Sequence, residues 1–161
     1  VNHTVSPSMD IQVASNFERL IFDVCSCDSN KTIKFMNDLN KKGEFTIGKD
    51  EVKKIKESFC SESLTEDETK LIISEIYKKH GILIDPHTAV GVGVAKKVPL
   101  NGKTLILSTA HPSKFSDVVM KETGIKPDLP ESLKGIMIEK ERYEKLPKDL
   151  KNIQNYILTK I

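Results

Sequence analysis

The chain has 161 residues, 25 Lys and Arg against 23 Asp and Glu, and a formal net charge of +2, a length suited to one domain and a balance that argues against a nucleic-acid partner. Its longest apolar runs stop far short of the ~20 residues that cross a bilayer, so no membrane association is expected. Cys25, Cys27 and Cys60 are too few for a disulfide scaffold and lack a second ligand pair at zinc spacing, so a reducing cytoplasm and no metal are expected.

Residues 1–10 read as extended, with a turn at Ser6-Pro7-Ser8. The first residue is Val, and Val1-Asn2-His3-Thr4 has no signal-peptide character, so residues upstream are expected. Ser15-Asn16-Phe17-Glu18 has the form of a capping box, with Phe17, Leu20, Ile21 and Val24 at the i, i+3, i+4 and i+7 spacing of an amphipathic helix. A second helix over 29–41 is expected to bury Ile33, Phe35, Met36 and Leu39, and a third over 50–59 to bury Val52, Ile55 and Phe59, with 44–47 as a link. Thr65-x-x-Glu68 is another capping box; it opens a helix to His80 whose stripe is Ile72, Ile73, Ile76 and Tyr77, and Gly81 ends it.

The period then changes. Ile82-Leu83-Ile84 reads as a strand, Asp85 as an N-cap and Pro86 as the first residue of a small, apolar helix over 86–97 that a sheet would flank closely. Residues 104–109 read as a strand apolar on both faces, as in a parallel sheet, and Pro112 opens a helix to about 122 that turns Phe115, Val118 and Val119 inward. A loop-rich stretch leads to a final helix over 147–161 that would bury Leu150, Ile153, Tyr156, Ile157 and Ile161. The alternation is that of an α/β fold with helices packed on a mostly parallel sheet, and 1–161 reads as a single unit. Three of four Lys-Lys pairs (41–42, 78–79, 96–97) fall where a helical pattern runs out, which suits the helix dipole better than a polyanion partner.

In open α/β sheets ligands bind beyond the carboxyl ends of strands, which directs attention to Asp85-Pro86-His87-Thr88 and Ser108-Thr109-Ala110-His111-Pro112. Taken singly, Asp85 is a helix cap, and His87 and His111 are turn residues engaged in hydrogen bonds.

Together these segments resemble a known family. Ser6-Pro7-Ser8-Met9-Asp10-Ile11-Gln12-Val13 running into Ser15-Asn16-Phe17-Glu18-Arg19-Leu20, then Asp85-Pro86-His87-Thr88-Ala89-Val90-Gly91, then Leu107-Ser108-Thr109-Ala110-His111-Pro112-Ser113-Lys114-Phe115, are similar, in order, to segments of threonine synthase. The resemblance implies the C-terminal part of a tryptophan-synthase-β-like fold, pyridoxal 5'-phosphate as cofactor, and conversion of O-phospho-L-homoserine and water to L-threonine and phosphate. It implies Thr109 as the hydroxyl meeting the cofactor's pyridine nitrogen, which tunes the electron sink without charge pairing, and Ser8 and Met9 as residues on the substrate side. Asn16 and Arg19 read equally as contacts to an anionic group or as helix surface, and Lys114 as an attractor of phosphate or, more simply, as a solvated lysine.

The family's Schiff-base lysine, in an F-K-D-like segment, and its S-G-N-F-G-type phosphate loop do not occur in this sequence. No catalytic residue is therefore assigned within it. The expectation is a C-terminal piece, inactive alone, whose partners are the substrate and the N-terminal remainder of the same protein. The alternatives are a non-catalytic threonine-synthase-like partner or regulatory module, and a plain scaffolding domain.

Overall fold

The computed structural model describes residues 3–11, 13–98 and 101–161. The chain divides into two compact units, Val1–Asp128 and Leu129–Ile161. The first holds α1 (Ser15–Val24), α2 (Ser29–Lys42), α3 (Lys49–Ser58), α4 (Glu66–His80), α5 (Pro86–Lys97) and, after a 3-10 turn at Pro112–Phe115, α6 (Ser116–Thr123).

Two apolar clusters hold this unit. Ile21, Cys25 and Phe35 form one, with Met36, Phe45, Ile47 and Ile55 against them, so that α1, α2, α3 and the 44–47 link share a core. Phe35 and Phe45 meet with ring centroids 5.5 Å apart, close enough for the quadrupole attraction of tilted rings. Ile72, Ile73, Ile84 and Ala89 form the other, flanked by Ile76, Val92 and Val118, which binds α4, α5 and α6.

The helix ends follow their local chemistry. Thr65 and Glu68 form the expected reciprocal capping box, Asp85 caps α5 with Pro86 at its first position, and the expected lysine pairs fall in the last turns of α2, α4 and α5. Gly43, Gly81 and Gly124 close α2, α4 and α6 in the left-handed conformation, the terminator that glycine makes without steric cost. Asp28, which the sequence reading did not single out, caps α2 by accepting from the Lys31 N–H.

Some expectations require correction. Ser15 lies inside α1, and the N-cap is Ala14, with no side-chain bond; Phe17 and Glu18 N–H groups donate to the Ala14 carbonyl, so the S-x-x-E pattern is offset by one residue from a capping box. Ile33 and Phe59 are exposed, because α2 presents Thr32 and Phe35 inward instead and α3 ends before Phe59. In the second unit, α7 (Leu150–Leu158) forms, but Leu150, Ile153, Ile157 and Ile161 are exposed; the stripe exists without a surface that buries it.

The largest correction concerns the sheet. Among the described residues there is no β-strand, and 82–84 and 104–109 are irregular. Leu105 and Leu107 stand 87% and 71% exposed, although their run is apolar on both faces. A segment's composition reports its need for burial, whereas a ladder needs partner strands that local sequence does not contain. In place of a flanking sheet, α5 lies on α4, and its Gly91 and Gly93 face Ile106 and Leu64.

Electrostatics pins one end of α4. The Lys97 ammonium stands 2.7 Å from Glu68, and the Thr65 N–H donates to the other carboxylate oxygen at 2.7 Å. Lys97 foremost, then the Thr65 backbone, draws the Glu68 carboxyl from its ordinary 4.5 down to about 2. A carboxylate depressed on folding stabilises the fold above its unfolded value, and that contribution is lost as pH falls from about 4.5 through about 2. Lys97→Met is expected to move the Glu68 midpoint back toward the ordinary value in a carbon-13 NMR titration; an unmoved midpoint would show that the Thr65 cap alone sets it.

Candidate functional site

The three segments singled out in the sequence meet at the N-terminus of α5. Residues 6–10 form a turn in which Met9 N–H donates to the Ser6 carbonyl at 2.8 Å and Asp10 N–H to the Pro7 carbonyl at 3.2 Å. Asp10 closes it by accepting from the Thr4 N–H at 2.7 Å. This leaves Ser6 buried and Ser8 and Met9 exposed.

Ser6 reaches across 81 positions to His87, its hydroxyl 2.6 Å from Nδ1. Both side chains are buried, where a missing partner would cost most. The His87 ring meets the Phe115 ring edge-on, with centroids 4.8 Å apart at 80°. Its second nitrogen, Nε2, is buried without a hydrogen-bond partner among the described residues.

Asp85, fully buried, organises the helix end beneath. One carboxylate oxygen accepts from the His87 N–H at 2.9 Å and the Thr88 N–H at 3.3 Å, and the other accepts from the Thr88 hydroxyl. The Thr88 hydroxyl also lies 3.4 Å from that of Ser108, adjacent to Thr109. The 107–115 segment is thus held against residues 85–88, and residues 85–88 against the 6–10 turn.

Thr109 is exposed, next to this junction. Beyond it, His111 caps the 3-10 turn by accepting from the Ser113 N–H. Lys114 is exposed in that turn, 5.6 Å from the Phe115 ring centroid. Arg19 donates to Asn16 at the surface of α1. Ser8 and Met9 are not brought against Thr109 by any hydrogen bond or ring contact of the described residues. Met9 instead lines a cleft of about 790 Å³ with Asp10, Leu64, Thr69, Val90 and Lys97.

The donor set at the junction consists of hydroxyls and an imidazole. Its two carboxylates are engaged, Asp10 by Thr4 and Asp85 by the α5 end. A heteroaromatic nitrogen bound here would meet a hydroxyl rather than a free carboxylate, and no cluster of three or more His, Cys, Asp or Glu among the described residues could hold a metal ion. No described helix is long and apolar enough to cross a membrane.

Ser6 and Phe115 are the residues that sequence reasoning undervalued. Both lie within the motifs described above, but their contacts to His87 have no local signature.

Comparison with known proteins bears on the same segments. A family model described as threonine synthase, C-terminal, matches residues 88–157. A threonine synthase of Pseudomonas aeruginosa is 34% identical over 157 residues, covering 96% of this chain and 34% of that protein. Among solved structures, a PLP-bound threonine synthase from Brucella melitensis superposes with a TM-score of 0.85 at 39% identity, over 98% of this chain and 34% of the other. Threonine synthase from yeast gives a TM-score of 0.77 at 28% identity, over 100% of this chain and 37% of its own. The chain therefore spans about a third of the length of the proteins it matches.

Proposed function

We propose that this chain, which is similar over nearly its whole length to about a third of a threonine synthase and matches a C-terminal threonine synthase model over residues 88–157, supplies the pyridine-nitrogen end of a pyridoxal 5'-phosphate site. Joined to an N-terminal remainder, it serves the conversion of O-phospho-L-homoserine and water to L-threonine and phosphate, as a lyase of cytoplasmic threonine biosynthesis. The observation that carries the reading is the convergence of the 6–10, 85–88 and 108–115 segments on one helix end, with Thr109 exposed beside it.

The bound cofactor would supply an electron sink for charge that develops on the substrate's carbon atoms. Thr109 would donate a hydrogen bond to its ring nitrogen and, being a hydroxyl, would leave that nitrogen without a charge-paired proton. Ser8 and Met9, on the exposed side of their turn, face the amino-acid substrate. The lysine that holds the cofactor and moves protons, together with the phosphate loop, belongs to the N-terminal remainder. The same remainder supplies the strands that pair with 82–84 and 104–109, and a mostly parallel sheet then covers the exposed Ile82, Leu105 and Leu107.

Expression of the chain with and without its upstream coding sequence tests this. The extended protein is expected to develop visible absorbance with pyridoxal phosphate and to release phosphate from phosphohomoserine, and the 161-residue chain alone to do neither. Thr109→Ala in the extended protein should weaken cofactor affinity about tenfold, the size of one hydrogen bond to a ring nitrogen. An upstream sequence lacking both an F-K-D-like segment and a glycine-rich phosphate loop would favour the alternative, a non-catalytic threonine-synthase-like module.

A further inference from the structure

We propose that His87 and Thr88 form a two-point clamp that positions Thr109, with Ser6 as the brace behind it; this rests on the cofactor role proposed for Thr109. Thr88 holds the near end of the segment through the Ser108 hydroxyl at 3.4 Å. His87 holds the far end through the Phe115 ring, centroid to centroid 4.8 Å. Thr109 lies between the two grips.

Within that span the backbone is tied to itself. Lys114 N–H donates to the His111 carbonyl at 3.0 Å, and the Ser113 N–H donates to His111 Nδ1 at 3.3 Å. The segment is therefore placed as a unit by its ends.

The imidazole at residue 87 needs a reason. A phenyl ring would fill a buried site facing Phe115 without leaving a nitrogen unpaired, and Nε2 is unpaired here among the described residues. What a phenyl ring cannot do is bond Ser6, whose hydroxyl lies 2.6 Å from Nδ1. That bond fixes the ring plane, and the ring plane sets where Phe115 rests. With the Ser6 hydroxyl as donor, Nδ1 is the acceptor and the ring proton sits on Nε2. The helix end under both grips is made rigid by Asp85, which holds the His87 and Thr88 N–H groups together.

The test uses the upstream-extended protein and reads two signals: the pyridoxal-phosphate dissociation constant, and the Thr109 methyl resonance in the cofactor-free protein. Deleting the Thr109 hydroxyl costs about tenfold in affinity and misplacing it cannot cost more, so His87→Phe is expected to weaken cofactor binding by up to about tenfold and to shift the Thr109 methyl. Ser6→Ala, which leaves the ring in place but frees its plane, should weaken binding about threefold, a part of the loss in Thr109→Ala, and move the same resonance. His87→Asn, whose side-chain oxygen can accept from Ser6 but which has no ring to meet Phe115, should not restore the affinity, because the clamp needs both the Ser6 bond and the ring.

If His87→Phe fails to fold, the Ser6→Ala and His87→Asn pair carries the comparison. Wild-type affinity and an unmoved Thr109 signal in Ser6→Ala, in a protein where Thr109→Ala does lose affinity, would overturn the clamp and leave the cofactor role standing. Absence of cofactor binding by the unsubstituted extended protein would overturn the cofactor role and the clamp with it.

Discussion

Asp85→Ala is expected to lower the unfolding free energy by about 3 kcal/mol, the sum of a lost helix cap, about 1 kcal/mol, and the stranding of buried donors, about 2 kcal/mol. The carboxylate is fully buried and accepts from the His87 N–H, the Thr88 N–H and the Thr88 hydroxyl. It also sits at the positive end of the α5 dipole, where an anion is favoured. Alanine removes all of these acceptors while Pro86 keeps the helix start in place, so the donors lose their partners without a new conformation to absorb them. Asn, retaining one acceptor oxygen and no charge, should fall between wild type and alanine. Denaturant unfolding measures the loss, and amide exchange at His87 and Thr88 localises it. A change below about 1 kcal/mol would mean that solvent or a rearranged end can replace the carboxylate, which its burial argues against.

The same residue shows where sequence reading succeeds. Asp85 before Pro86, and Thr65 three residues before Glu68, are readable because capping chemistry is local: the side chain and the N–H groups it serves lie within one turn. The offset at Ser15 marks the limit, since a motif of polar residues fits two adjacent frames and the backbone of Ala14 took the capping position. Tertiary contact is less legible. The 104–109 run is apolar on both faces, yet Leu105 and Leu107 stand exposed, because apolar composition does not itself supply a partner strand. At the site, the place of 85–88 and 108–115 after apolar runs directed attention to both segments, and the structure sets them side by side. The bond between Ser6 and His87, 81 positions apart, was not legible, because a contact across that separation leaves no period or spacing in the local sequence.

Ile73→Ala should also be among the most damaging core substitutions. Ile73 is wholly inaccessible to solvent and stands in the cluster with Ile72, Ile84 and Ala89, against which Ile76, Val92 and Val118 pack. That places it where α4 faces both α5 and α6, so neither neighbour can move in to fill a void without leaving the other. Removing three carbons from such a site costs the lost transfer energy plus a cavity term, together about 3 to 4 kcal/mol. Leu71, on the same helix but 57% exposed, is the control, and its replacement by Ala should cost under about 1 kcal/mol. The contrast decides whether the α4, α5, α6 cluster is the core on which the helix end bearing Asp85, His87 and Thr88 rests. If Ile73→Ala and Leu71→Ala were equally mild, that end would have to draw its rigidity from elsewhere. If Ile73→Ala instead lowers stability by the expected amount and loosens the His87 and Thr88 amides in exchange, the site's precision follows from packing one helix away.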